Sequence, residues 1–101
     1  MKASERRQWI LVGKDDDSLT FRLRSGAVKT VGRAPRADFI VNRALVSRLH
    51  CRLTAGDEQL EVEDLSSTNG TFVNGKRVKR AELTSGDRLK VGRIELTIEK
   101  A

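Results

Sequence analysis

The sequence predicts an all-β fold, a sandwich of two antiparallel sheets with about ten short strands. Apolar residues recur with a period of two in segment after segment, the pattern of strands with one buried face. Turn signals return every eight to twelve residues or so, the spacing of sandwiches and barrels. The strongest candidate for a helical turn, Arg43 to Arg48, is too short to be a helix of its own. Loops gathered at the sheet ends are then the place to look for binding.

The elements follow in order. Trp9 to Val12 is a short continuous apolar run and reads as a strand covered on both faces. Leu19, Phe21 and Leu23 alternate with Thr20 and Arg22. Val31-Gly32-Arg33 closes a strand, and a loop begins at Ala34-Pro35. In the next strand Cys51, Leu53 and Ala55 share one face, with His50, Arg52 and Thr54 on the other. Leu60 and Val62 alternate with Glu61 and Glu63. Leu89 and Val91, then Ile94, Leu96 and Ile98, line one face of the last two strands. Between them lie the turn signals GKDDDS, RSGA, RAPRAD, AGDE, TSGD and VGR. Two Asn-Gly pairs, Asn69-Gly70 and Asn74-Gly75, stand five residues apart. The second reads as a plain hairpin turn, because both residue types tolerate positive φ.

With 101 residues there is room for one core, and residues 8–100 are expected to form a single domain behind a flexible segment 1–7. No apolar run approaches the roughly 20 residues of a membrane helix. No apolar segment of a secretory signal follows the charged start. The single Cys51 excludes an internal disulfide and fits a reducing compartment. The expectation is a soluble chain of the cytoplasm, or of the nucleus in a eukaryote. The balance is basic, 20 Lys+Arg against 14 Asp+Glu, a net charge of +6, which favours anionic partners. Arg33, Arg36, Arg43, Arg48 and Arg52 fall close together with only Asp38 opposing them. A planar guanidinium suits bidentate phosphate contacts, whereas Lys is a point charge.

Three loop stretches carry candidate chemistry. Gly32 permits a close backbone approach, and Arg33 emerges at the strand end. Ser47 offers a hydroxyl and a backbone N–H, Arg48 a guanidinium, and His50 lies three residues beyond Ser47. Thr68 and Asn69 sit at a turn tip that Gly70 makes accessible, and the Asn amide can pair with an extended peptide backbone. An enzyme using Ser47, His50 and a carboxylate such as Asp64 is set aside. No G-x-S-x-G elbow is present, and there is one His in the chain. A lone His and a lone Cys also make a poor metal site.

The order G-R … S-R-x-H … D-L-x-S-x-N-G-T-x-x-N-G resembles the forkhead-associated (FHA) domain, a phosphothreonine-binding module. The likeness runs from about Trp9 to Glu99 and includes the closing SGDRLKVG and IELTIE strands. It implies an FHA-type β-sandwich of about eleven short strands with the binding loops at one end. It implies that Arg33 grips the phosphate and that Ser47 donates its hydroxyl to it. Arg48 would add a backbone N–H and its side chain. Thr68 would line the pocket for the phosphothreonine methyl, and Asn69 would bond the peptide backbone beside it. Gly32, His50 and Gly70 would support the site. The implied function is phosphorylation-dependent protein–protein interaction in Ser/Thr kinase signalling. The partner would be a phosphothreonine-containing protein, a kinase or its substrate, with no cofactor and no metal. Loops around Arg36, Arg43 and Ser67 are expected to read the flanking ligand residues, with a preference for acidic ones.

Two other readings are weighed. A nucleic-acid-binding domain would use the net charge and the KRVKR run at 76–80, but one Trp, three Phe and no Tyr offer few rings for base stacking. A phospho-independent adaptor or oligomerisation module would need an exposed apolar patch.

Overall fold

The computed structural model describes residues 8–101; the segment 1–7 expected to be flexible lies outside the described residues. Eleven strands follow in order: β1 Gln8–Gly13, β2 Thr20–Arg24, β3 Val28–Gly32, β4 Phe39–Ile40, β5 Cys51–Ala55, β6 Leu60–Asp64, β7 Thr71–Val73, β8 Lys76–Val78, β9 Arg80–Leu83, β10 Arg88–Val91 and β11 Ile94–Lys100. One sheet has the order β2-β1-β11-β10-β7-β8, the other β4-β3-β5-β6-β9. No helix occurs among the described residues, so none is long and apolar enough to cross a membrane. One strand pair departs from the antiparallel expectation. The two-residue β4 lies parallel to β3, with Val31 opposite Phe39.

The period-two apolar sets become the core. Trp9 and Leu11, Leu53, Leu60 and Val62, Leu89, Leu96 and Ile98 are fully buried between the sheets. Trp9 also satisfies its indole N–H, which donates to the Gly56 carbonyl at 2.8 Å. Phe21 and Phe39 stack at 4.8 Å between centroids and are partly buried against the core. Two sequence expectations are corrected. Trp9 to Val12 is not covered on both faces: Trp9 and Leu11 are buried, while Ile10 and Val12 are half-exposed on the outer face of their sheet. The apolar run arises because β1 is central, between β2 and β11, so Ile10 and Val12 have strands on both flanks. The segment Arg43–Arg48 contains no helical turn. It holds one tight turn, Val46 N–H to Arg43 O at 3.4 Å, with Leu45 at φ 71°.

The registers assign every connection to one of two ends. Cys51 pairs with Val31 and Asp64, and Val91 with Thr71. The loops after β3, β4, β6 and β10 therefore meet at one end, together with the loop between β1 and β2. Trp9 opposite Lys100, and the Asn74-Gly75 hairpin, lie at the other. Asn74 and Gly75 both take positive φ, 51° and 85°, as a two-residue hairpin turn requires.

Candidate functional site

Gly32 is where the end loops lock together. A Cβ there would stand 2.1 Å from the Arg48 carbonyl oxygen, which no side chain tolerates. The contact lets the loop before β5 lie directly on the end of β3. Arg33 N–H bonds Ser47 O at 2.9 Å, Ala34 N–H bonds Arg48 O at 3.0 Å, and His50 N–H bonds Val31 O at 2.8 Å. Arg33 is thereby fixed at its backbone. Its Nε also donates to the Val46 carbonyl at 3.0 Å, while its terminal nitrogens keep no acceptor among the described residues.

His50 is fully buried and ties this loop to the next. The Ser47 backbone N–H donates to Nδ1 at 3.0 Å, and Nε2 donates to the Gly70 carbonyl at 2.8 Å. The two partners define the tautomer, because one is a donor and the other an acceptor. Ser47 Oγ accepts the Thr68 N–H at 3.0 Å, so its own proton stays free to donate. The Arg48 backbone N–H likewise has no acceptor among the described residues.

The turn that carries Thr68 and Asn69 is built on Asp64. Its carboxylate receives the Ser67 hydroxyl at 2.5 Å, the Ser67 N–H at 3.1 Å and the Thr71 hydroxyl at 2.7 Å. Partial burial pushes the Asp64 carboxyl upward, but the bonds from Ser67 and Thr71 together outweigh it and hold it below its usual value. Ser67 Oγ in turn accepts the Gly70 N–H at 2.9 Å. Gly70 has φ +92°, and a Cβ on it would lie 2.7 Å from Arg77 Nε. Asn69 is exposed, and its Nδ2 donates to the Leu45 carbonyl at 3.0 Å.

An open groove of about 770 Å³ results. Arg33, Ser47, Arg48, Thr68 and Asn69, the five candidate binding residues, all line it, along with Arg43. Gly32, His50 and Gly70 are buried behind it. Arg36 borders a neighbouring depression, shared with Arg48, rather than this groove. The loop around Ser67, expected to help read the ligand, lines the groove through Ser66, Thr68 and Asn69, while Ser67 itself is buried and spent on Asp64. Sequence reasoning missed two supports. Gly92, at φ +59°, lets Val46 approach so closely that a Cβ would meet its Cγ2 at 2.9 Å. Asp64 opens the D-L-x-S-x-N-G stretch, but nothing in the sequence shows that its carboxylate builds the turn. Cys51 plays no part: it is fully buried, and burial, with the nearby charge of Asp64, pushes its thiol far above the usual value.

A β-sandwich whose end loops hold unpaired donors around an open groove is a ligand-recognition module. The chain belongs to the FHA domain family, whose model matches residues 29–92, and that family is a binding module. An ABC transporter ATP-binding/permease protein of Mycobacterium tuberculosis is 44% identical over 78 residues, 77% of this chain and 9% of that protein. The glycogen accumulation regulator GarA of the same species is 34% identical over 70 residues, 69% of this chain and 43% of that protein. The chain thus spans less than half the length of these curated relatives. A solved structure from a study of phosphothreonine-dependent FHA domain interactions superposes with a TM-score of 0.84 at 32% identity. It covers 91% of this chain and 95% of the solved one.

Proposed function

We propose that residues 8–100 act as one phosphothreonine reader, joining a partner protein after a Ser/Thr kinase has modified it. One observation carries this reading. Donors without acceptors among the described residues, from Arg33, Ser47 and Arg48, converge on one groove from loops that the sequence separates. A dianionic phosphate with three acceptor oxygens matches such a set. Arg33 forks onto the phosphate through its free terminal nitrogens, and Ser47 adds its hydroxyl proton. Arg48 adds its backbone N–H and side chain. Thr68 meets the threonine methyl. Asn69 anchors Leu45 with its amide nitrogen and keeps its amide oxygen for a peptide N–H. The chemistry belongs in the cytoplasm, where kinases and ATP are found.

Hydrogen bonds to charged groups contribute roughly 1.5–3 kcal/mol each. Two or three of them with a methyl contact approach the −8 kcal/mol or so of a micromolar complex. The methyl itself is worth about 0.8 kcal/mol, a few-fold preference for threonine over serine. The test is binding of fluorescent degenerate peptides with a central phosphothreonine, phosphoserine or plain threonine at physiological salt. Phosphothreonine should bind best and plain threonine not measurably. Arg33→Ala should lose about 10- to 100-fold, the equivalent of one charged hydrogen bond. Equal binding of plain threonine, or an undiminished Arg33→Ala protein, would overturn the reading.

A further inference from the structure

Arg43 lines the groove, yet its charge is already engaged. Its Nη2 lies 2.7 Å from Asp16 Oδ2, and Nη1 donates to the Asn42 carbonyl at 3.3 Å. Asp16 comes from the loop between β1 and β2, 27 residues away in sequence and outside the segment 29–92 that matches the family. The carboxylate is prepared for this role. The Ser18 hydroxyl and N–H both donate to Oδ1, the latter at 3.1 Å. These bonds, followed by those of Arg43, outweigh the opposing effect of burial and hold the carboxyl below its usual value. Asp16 is therefore charged at any pH at which a phosphate monoester is dianionic.

We propose that Asp16 is an electrostatic brake on the groove: it competes with acidic side chains of the ligand for Arg43. The inference rests on the reading of the groove as a phosphopeptide site. A peptide carrying the phosphate alone meets Arg33, Ser47 and Arg48 but finds Arg43 neutralised. A peptide with an Asp or Glu beside the phosphothreonine can take Arg43 over, at the cost of breaking the Asp16 pair. Both partners are partly exposed, at 42% and 39%, so the exchange needs no desolvation of a buried charge. An exposed pair of this kind is worth up to about fivefold in an equilibrium, and salt reduces it.

The experiment compares wild type, Asp16→Asn, Arg43→Ala and the double variant. The ligands are phosphothreonine peptides with acidic or with alanine flanks, and plain threonine peptides. Asn keeps an acceptor for Ser18. The loop itself is closed by backbone bonds, Gly13 N–H to Leu19 O at 2.8 Å and Leu19 N–H to Asp16 O at 3.0 Å. Asp16→Asn should tighten the acidic-flanked peptide about two- to fivefold and the alanine-flanked one less. The gain should shrink in high salt and vanish in the double variant. Weaker or unchanged binding by Asp16→Asn, or a gain that survives without Arg43, would overturn the brake. Failure of wild type to distinguish phosphorylated from plain threonine would instead overturn the reading of the groove.

Discussion

A buried imidazole with a backbone donor on one nitrogen and a backbone acceptor on the other leaves no freedom in how it sits. His50 therefore fixes the distance between the Ser47 loop and the Gly70 turn, and with it the spacing of the groove's two walls. Removing the ring would strand the partly buried Ser47 N–H and the buried Gly70 carbonyl. Each stranded group costs about 1–3 kcal/mol. His50→Ala should thus lower the unfolding free energy by about 2–6 kcal/mol in denaturant titration, a large share of the roughly 5–15 kcal/mol typical of a domain. A variant as stable as wild type would show that water replaces the ring. Asn69 divides its amide in a comparable way. Its nitrogen holds Leu45, a non-glycine residue at φ 71° and one of the costlier backbone states in the chain. The sequence identified both residues from their types and spacing. It could not assign their partners, because contacts between loops 20 to 24 residues apart leave no periodic trace.

Strands were legible where one face is buried and the other is not, as at Leu60 and Val62 or Leu96 and Ile98. The period fails for β4, which has two residues and is held by a parallel pairing with β3 rather than by any pattern of its own. It also fails for the turn from Asp64 to Thr71, whose order comes from one carboxylate. Gly92 shows the same limit: VGR reads as a turn, but nothing in it announces that Val46 packs above. The Asp64 turn has a pH signature. Its folded pKa lies below the unfolded value of about 3.8, so the ionised form is favoured by folding. Its contribution is complete above the unfolded pKa and is lost as pH falls through the folded one. Wild type should therefore lose stability more steeply than Asp64→Asn on acidification below about pH 4, and be the more stable of the two at neutral pH. Parallel pH profiles for the two proteins would place the source of order in the hydroxyl groups rather than in the charge.

The polarity of the whole sandwich answers why two Asn-Gly pairs stand so close in sequence. The three residues of β7 separate them, and β7 runs from one end of the molecule toward the other. Gly70 therefore shapes the groove end, while Asn74-Gly75 reverses the chain at the far end, where the Asn74 amide donates to Asp87 and accepts the Arg88 N–H. The same polarity governs the described chain ends. Trp9 pairs with Lys100, and β11 carries seven residues back from the groove end, a rise of about 20 Å. Gln8 and Ala101 are joined at that far end by a 2.8 Å hydrogen bond. A folded carrier attached after Ala101 thus meets neither the Ser47 loop nor the Thr68-Asn69 turn. Such a fusion should bind phosphothreonine peptide within about twofold of the free domain, far inside the tenfold that corresponds to 1.4 kcal/mol. By contrast, a short Gly-Ser insertion between Leu45 and Val46 should abolish binding, because it separates the Asn69 anchor at Leu45 from the Arg33 anchor at Val46. Titration of both proteins beside the free domain decides the matter. A tenfold loss in the fusion would mean that the far end and the groove are coupled through the sheets, and that the sandwich is not the rigid spacer its registers describe.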